Sequence, residues 1–192
     1  MKHGELLVAI SDLEPIEVRG SFQRHCSLRW DGLRPSAAGG RWGESGAFEV
    51  LYLGRPAESV IVEAYRHLVD DDLDSPAELA AAVVERRLYT MDVAVPNVID
   101  LRSVSARDRI GLTDQQLRSE VGDYRDCHAI GAAAHQLGLA GVLAPAATGL
   151  GETLALFALN VAITRWPTVA ASEIWHGLPA DPRRLRLADD AS

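Results

Sequence analysis

Cysteine is scarce in this sequence: Cys26 and Cys127 are the only two among 192 residues. They form no C-x-x-C motif and no Cys/His set at the spacing of zinc ligands. These absences argue against a disulfide framework and against a structural zinc site. We therefore expect a protein of the reducing cytoplasm that holds no metal.

Lysine is nearly absent as well, since Lys2 is the only one and the other 18 basic residues are arginines. Aspartate and glutamate number 27 against 19 Lys and Arg, which gives a formal net charge of −8 at pH 7. Proteins that bind nucleic acid through its phosphates have the opposite sign, so we expect no direct nucleic-acid binding. A local basic pocket stays open, because guanidinium groups bind phosphates and carboxylates bidentately.

Long hydrophobic runs are missing too. The apolar stretch before Ser11 is five residues long, which is too short for the core of a secretion signal. Residues 129–151 include no Asp, Glu, Lys or Arg, but Gln136, Pro145 and several glycines argue against a membrane helix. We expect a buried core segment there, and a chain that is cytoplasmic and does not contact the membrane.

Several common catalytic motifs are absent. The chain has no G-x-G-x-x-G after a first strand, no G-x-x-x-x-G-K-[ST], no H-E-x-x-H and no G-x-S-x-G. These absences argue against the usual dinucleotide-binding, P-loop, zinc-protease and α/β-hydrolase classes. We also find no internal repeat, and the acidic run at residues 70–74 predicts a solvated loop.

The clearest pattern in the chain is a strand, a turn and a helix between residues 47 and 68. Residues 47–53 alternate in polarity, which predicts a strand with Phe48, Val50 and Tyr52 on one face. Pro56 then favours a helix start. The apolar stripe of that helix contains Val60, Ile61, Ala64, Tyr65 and Leu68. Glu63 falls on the opposite, polar side of the helix.

The remaining patterns predict further short elements. They are strands at 87–95 and 98–101 separated by Pro96-Asn97, a helix at 123–137 with small residues at 131–134 for close packing, and strands at 141–144 and 153–159. The pattern after Trp166 is weak. Short strands interleaved with helices, without regular βαβ repeats, predict an α+β fold with a mixed sheet flanked by helices. We expect a single domain over residues 1–192.

An ordered set of short motifs resembles the signature of the RES domain family. The motifs are Phe22-Gln23-Arg24, Gly39-Gly40-Arg41-Trp42, Val50-Leu51-Tyr52-Leu53, Val62-Glu63, the helix segment 126–131 and the segment 141–147. Their order and spacing, more than any one motif, carry the resemblance, which covers about residues 22–160. Residues 161–192 are left as a C-terminal extension.

The resemblance implies a branch of the ADP-ribosyltransferase fold and a bacterial toxin that consumes NAD. Such an enzyme splits the nicotinamide–ribose bond and passes ADP-ribose to phosphate, as a phosphorylase, or to water, as a glycohydrolase. NAD is then a substrate rather than a cofactor, and inorganic phosphate is a candidate co-substrate. Two alternatives stay open: ADP-ribosyl transfer to a protein, and a degenerate module that binds NAD or an antitoxin without turnover.

The resemblance also implies a partner, because members of the family are paired with a helical antitoxin that has an Xre-like region. An acidic or carboxylate-ended segment of that partner would complement the arginines of the cleft. A homo-oligomer is equally compatible with the sequence.

The family pattern assigns catalytic roles to Arg24, Arg41, Tyr52 and Glu63. Cleavage of an N-glycosidic bond needs a carboxylate near the ribose, and Glu63 fits that need. Arg24 and Arg41 would hold phosphates, and Tyr52 would stack on the nicotinamide or donate its hydroxyl. Without the resemblance, Glu63 reads as a solvated helix residue and Tyr52 fits the core equally well. Arg29 competes with Arg24 for its role.

Three further positions are expected to contact substrate, with departures from the family pattern. His25 follows Arg24 where the family often has tyrosine, and Ala146 in Pro145-Ala146-Ala147 replaces the family serine. The hydroxyl of Thr148, two positions on, would compensate for that serine. His128 and His135 resemble acid–base groups, but isolated histidines are more often structural.

Overall fold

The computed structural model describes residues 1–69, 83–119 and 123–183. The predicted acidic loop at residues 70–74 lies outside these ranges. The described elements, in chain order, are α1 (His3–Ser11), β1 (Ile16–Ser27), β2 (Val50–Arg55), α2 (Ala57–Leu68), β3 (Arg86–Asp100), α3 (Val104–Arg109), α4 (Asp114–Leu117), α5 (Arg125–Gln136), β4 (Gly141–Pro145), β5 (Glu152–Phe157), a 3-10 turn (Ile163–Arg165) and β6 (Thr168–Trp175). None of the helices in the described ranges is long and apolar enough to cross a membrane.

The six strands form one sheet in the order β1-β2-β5-β4-β3-β6, and β1 also pairs with β3. That additional pairing closes five of the strands into a ring and leaves β6 as an extension beside β3. All the pairings are antiparallel except that of β3 with β4, where Val98 faces Gly141. This arrangement confirms the predicted single-domain α+β fold with a mixed sheet.

Alternating side chains on the strands form two main core clusters, and two smaller clusters include residues of α2. The cluster inside the closed sheet includes Phe22, Leu51, Leu53, Met91, Leu143, Leu154 and Leu156. The cluster on the outer face, beneath α1 and α5, includes Ile10, Trp42, Val50, Ile130, Val142 and Phe157. Phe48 and Tyr52 pack against the outer cluster with Val50, which confirms that these three residues share a face. This face of β2 leads directly to the cleft described below.

The prediction of two strands separated by Pro96-Asn97 is wrong, since β3 runs without interruption from Arg86 to Asp100. On β1, Val18 pairs with Val95 and Ile16 pairs with Val98. Pro96 and Asn97 therefore oppose a single residue of β1, which is a β-bulge. Proline is tolerated in a bulge because its missing N–H is not needed by the ladder, and Asn97 takes the left-handed conformation (φ 63°).

The strand–turn–helix unit folds largely as predicted, with shifted boundaries. Strand β2 starts at Val50 rather than at residue 47 and includes Gly54 and Arg55. In α2, Val60, Ala64 and Tyr65 of the predicted apolar stripe are buried, whereas Leu68 is exposed. The helix packs across β1 and β2. The polar side of α2, which includes Glu63, therefore lies beside the point where β1 and β2 meet.

Candidate active site

A cleft of about 560 Å³ opens where β1 and β2 separate. Within the described strands, β1 and β2 pair only at Gln23 and Gly54, so the two backbones part beyond this point. Helix α2, the turn at residues 39–42 and the start of α5 complete the walls. Five of the seven predicted site residues line this cleft: Arg24, His25, Arg41, Tyr52 and Glu63.

The Gly-Gly-Arg-Trp turn is held rigidly against the rest of the molecule. Gly40 N–H donates to the carbonyl of Gly43 at 2.9 Å, and Gly43 N–H donates back at 3.3 Å. His128 Nε2 donates to the Gly40 carbonyl at 2.8 Å. On α5, a Cβ added to Gly131 would lie 2.0 Å from the carbonyl oxygen of Trp42. This contact confirms the predicted close packing at residues 131–134 and fixes the turn that presents Arg41.

Tyr52 connects that turn to strand β2. Its hydroxyl accepts the backbone N–H of Trp42 at 2.9 Å, and a Cβ at Gly40 would lie 2.8 Å from the phenol oxygen. Burial raises the pKa of Tyr52 well above its usual value, against the opposing effects of the Trp42 N–H and Arg41. The phenol is therefore protonated at neutral pH. Since its oxygen accepts from Trp42, its own proton is left to donate to a ligand.

Arg41 points along the cleft wall towards the residues that precede α5. Its Nη1 donates to the Ser119 hydroxyl at 3.2 Å and its Nη2 to the Ser119 carbonyl at 3.0 Å. The guanidinium lies 4.4 Å from the centre of the Tyr124 ring, which is a cation–π contact. The Ser119 hydroxyl is itself tied to the carbonyl of Asp123 at 2.6 Å. The position of Arg41 is thus set by a network of neutral groups.

Arg24 lies at the opposite side of the cleft, on β1. Its Nη1 donates to the carbonyls of Gly32 and Arg34 at 3.0 and 2.8 Å. Burial lowers the pKa of Arg24, although Cys26 and Asp31 partly offset this effect. Among the described residues, neither Arg24 nor Arg41 is paired with a carboxylate. Arg29, the alternative to Arg24 as the first arginine of the motif, is exposed and does not line the cleft.

Glu63 supplies the carboxylate of the cleft. Its side chain is 29% exposed, and its two oxygens lie 3.4 Å from Arg66 Nη1 and from His67 Nε2. Burial opposes ionisation, but the hydrogen bond from His67 and the charges of Arg66, His67 and Arg41 outweigh it and hold the pKa of Glu63 below its usual value. The group is therefore an anion at neutral pH.

His25 is neutral in this cleft. Its Nδ1 accepts the Nε–H of Arg86 at 2.7 Å, and its ring stacks on Trp175 with centroids 5.7 Å apart. Burial, followed by the charges of Arg86, His67 and Arg24, lowers the pKa of His25 to about 3. Like Arg24, it lines the part of the cleft formed by β1.

The structure does not bring Ala146 and Thr148 into the cleft lining. Ala146 is 1% exposed, with its N–H bonded to the carbonyl of Gly151. The Thr148 hydroxyl lies 3.5 Å from that of Ser59 and accepts the N–H of Leu150. Ser59 does line the cleft, so Thr148 stands behind it. The substrate-contacting roles of these two residues stay predictions.

The cleft lining also includes polar residues that the motifs did not predict, among them Ser45, Ser59, His67, Tyr124 and Thr153. His67 could have been found, because it lies one helical turn after Glu63 on the same polar face of α2. Tyr124 carries no such signal, since it precedes α5 and reaches the cleft only through the fold. Across residues 1–69, 83–119 and 123–183, no three His, Cys, Asp or Glu side chains are grouped as metal ligands would be.

The cleft combines one anionic carboxylate, a protonated phenol and two guanidiniums that meet no carboxylate within the described part of the chain. Such a set defines an enzyme-like cleft suited to a phosphate-bearing substrate. Comparison with known proteins identifies the family. The family model described as "RES domain" matches residues 18–185, and the chain belongs to the RES domain family.

Individual relatives agree with that assignment. The chain is 32% identical to "NAD(+) phosphorylase MbcT" of Mycobacterium bovis and of Mycobacterium tuberculosis over 148 residues, which cover 72% of this chain and 77% of the relative. It is also 36% identical over 124 residues to "Probable NAD(+) phosphorylase Rv3189" of M. tuberculosis, covering 64% of this chain and 55% of that protein. These figures describe similarity over most of the folded chain.

A solved structure matches as well. The crystal structure of the M. tuberculosis MbcT–MbcA toxin–antitoxin complex superposes with a TM-score of 0.78 and 28% sequence identity. The match covers 89% of this chain and 92% of the matched chain. The closed mixed sheet with its flanking helices is therefore a fold that a solved protein also adopts.

Proposed function

We propose that this chain is a toxin that consumes NAD by phosphorolysis, with inorganic phosphate as the acceptor of ADP-ribose. The observation that carries the proposal is the cleft itself, because the ionised Glu63 lines the same cavity as Arg24, Arg41 and Tyr52. The relatives named NAD(+) phosphorylases support NAD as the substrate and phosphate as the acceptor.

The two arginines of the cleft, Arg24 and Arg41, suit the pyrophosphate of NAD. In a protein of net charge −8, a cleft whose guanidiniums meet no carboxylate among the described residues is a local site for an anion. Arginine–phosphate bonds are charge-assisted and often bidentate. Arg24 and Arg41, fixed by carbonyls and by Ser119, would hold the substrate so that its ribose lies near Glu63.

The reaction breaks one bond and forms one. The bond between the ribose C1 and the nicotinamide nitrogen breaks with its electron pair leaving on the nitrogen, which releases neutral nicotinamide. The ribose becomes cationic and oxocarbenium-like, and the ionised Glu63 stabilises that charge. An oxygen of inorganic phosphate then bonds to the same carbon and gives ADP-ribose-1″-phosphate. Tyr52 donates its hydroxyl proton as a hydrogen bond and keeps it.

We also propose an antitoxin protein as the partner. A chain that destroys NAD must be restrained in the cell that makes it, and the matched structure is that of a toxin–antitoxin complex. A carboxylate-bearing segment that entered the cleft would compete with NAD for Arg24 and Arg41. Addition of the cognate antitoxin should therefore raise the apparent KM for NAD and leave kcat unchanged.

The test is a time course of the purified chain with NAD, with and without inorganic phosphate, in which nicotinamide, ADP-ribose and ADP-ribose-1″-phosphate are resolved by mass. We expect the 1″-phosphate to form only when phosphate is present. Glu63→Gln should lose activity, whereas Glu58→Gln, an exposed position on the same helix, should keep it. Free ADP-ribose in both buffers would instead indicate a glycohydrolase, and label on a protein would indicate transfer.

A further inference from the structure

His25, Arg86 and Trp175 form a row across three strands. On β1, His25 and Ser27 share a face, and Ser27 pairs with Arg86 of β3. Arg86 pairs in turn with Trp175 of β6. The three side chains therefore meet on one face of the sheet, at the side of the cleft that β1 forms. Neither β1 nor β6 was predicted from the sequence, so this row is visible only in the fold.

The contact between Arg86 and His25 fixes the tautomer of the imidazole. Arg86 Nε lies 2.7 Å from His25 Nδ1. A guanidinium nitrogen can only donate, so His25 Nδ1 must be the acceptor and carries no proton. The proton of the neutral ring is then on Nε2. Because Nδ1 is occupied, Nε2–H is the only donor that His25 can offer to a molecule in the cleft.

The surroundings of His25 keep the ring neutral. The ring contacts Arg86 on β3 and Trp175 on β6 and lies near His67 on α2, whereas the side chain of Arg24, the preceding residue of β1, leaves the strand on the other face. The nearest carboxylate of the cleft, Glu63, is bonded to His67. Burial and these positive neighbours hold the pKa of His25 at about 3. An imidazolium at this point would be repelled by these positive neighbours, whereas a fixed N–H dipole in a cleft that also holds Arg24 and Arg41 would attract an oxyanion.

We propose that His25 is a fixed Nε2–H donor that binds a phosphate oxygen of the substrates in the cleft, and that Arg86 is the positioning residue that holds its tautomer. The inference rests on the proposed function, because the phosphate is either that of NAD or the inorganic co-substrate. Trp175 restricts the ring plane by stacking. The family often has a tyrosine at the position of His25, and in this chain the imidazole N–H would be the hydrogen-bond donor there.

The tautomer is tested first, on the protein without ligand. Long-range nitrogen–proton NMR correlations of the histidine rings, assigned with His25→Phe, should show His25 as the Nε2–H form throughout pH 5–8. Arg86→Met removes the donor to Nδ1, so the Nδ1–H form should appear beside the Nε2–H form, and the pKa of His25 should rise but stay below its ordinary value because the ring remains buried. Arg86→Lys keeps a donor and should restore the fixed form. Arg87→Met, the neighbour on the other face of β3, is the matched control and should change nothing.

The ligand contact is tested by calorimetry with NAD and with inorganic phosphate as separate titrants. A lost charge-assisted hydrogen bond predicts that His25→Phe weakens binding of one of them by about tenfold to a hundredfold. His25→Gln places an amide N–H near the Nε2 position and should recover most of that loss. The titrant that weakens identifies the source of the phosphate, and thermal melting checks that each variant is folded.

Three results would overturn the inference. They are an Nδ1–H form of His25 in the unliganded protein, titration of this ring near its ordinary pKa, or unchanged binding of both titrants to a folded His25→Phe. The proposed function fails differently, since in that case the wild-type chain would neither bind NAD nor release nicotinamide. A wild type that turns over NAD beside an equally active His25→Phe contradicts the inference alone.

Discussion

Glu63 and His67 lie one turn apart on α2, with Oε2 and Nε2 separated by 3.4 Å, and both face the cleft. The pair explains how a half-buried glutamate remains charged. Burial alone would raise its pKa, and the bond from His67 is the strongest of the contacts that lower it. By its helical position alone Glu63 would be a solvated surface residue, whereas in the structure it is an anion that lines the cleft.

The Glu63–His67 pair predicts a pH effect. The lowered pKa of Glu63 means that its ionised form persists down to below the ordinary glutamate value of about 4.3. The stabilisation from this group is present at higher pH and is lost as the pH falls through its folded pKa. His67→Asn removes the bond, so the acid limb of kcat/KM for NAD should move to higher pH. His176→Asn, an exposed histidine, should leave the limb in place.

Tyr52→Phe should affect both stability and turnover. The substitution leaves the Trp42 N–H without its acceptor, and an unsatisfied buried donor costs about 1–3 kcal/mol of unfolding free energy. It also removes the proton that the hydroxyl would donate to the substrate, which should lower kcat/KM by about tenfold or more. Denaturant unfolding and the NAD assay measure the two effects separately. An unchanged kcat/KM in a folded variant would exclude a substrate contact of Tyr52.

Arg41→Lys tests the geometry of the guanidinium rather than its charge. Lysine has no fork, so it cannot reach both acceptors of Ser119 and still present donors to a phosphate. We expect KM for NAD to rise by about tenfold to a hundredfold, with little loss of stability. Arg125→Lys, an exposed residue at the start of α5, provides the comparison. Equal KM values for the two variants would contradict the role assigned to Arg41.

Gly131→Ala should be strongly destabilising. A Cβ at this position would lie 2.0 Å from the Trp42 carbonyl, so either α5 or the turn that presents Arg41 must move. Such overpacking costs about 1–3 kcal/mol, and the displaced turn should lower activity as well. Gly4→Ala in α1, where nothing lies within 4 Å of the new Cβ, is the control and should be neutral or slightly stabilising. A melting temperature equal to that of the wild type would refute the packing argument.

The parts of the fold that sequence pattern predicted are those with a regular apolar face or a short, continuously apolar run. β2, α2 and α5 have such a face, β4 and β5 are mostly buried runs, and the existence and type of all five were predicted. β6 was not, because seven of its eight residues are exposed and it leaves no apolar period. The uninterrupted β3 was missed for a different reason: the bulge that accommodates Pro96 depends on the partner strand β1.

The site divides in the same way. The motif order predicted Arg24, Arg41, Tyr52 and Glu63 as a group, and the fold places all four around one cleft. Ala146 is buried and neither it nor Thr148 is part of the cleft lining, although their neighbours Pro145 and Ala147 are, so the contacts predicted for these two residues stay predictions. Arg86 and Tyr124 come from other elements, and only the closed sheet brings them near the motif residues.

Phosphorus NMR of one reaction tests the central claim most directly. The wild-type chain is mixed with NAD and inorganic phosphate, and the loss of the inorganic phosphate signal is measured against the nicotinamide released. The account predicts equal amounts of both, with a new sugar-phosphate signal, and neither change with Glu63→Gln. Absence of nicotinamide release by the folded wild type would contradict the account, and release without uptake of phosphate would contradict phosphorolysis.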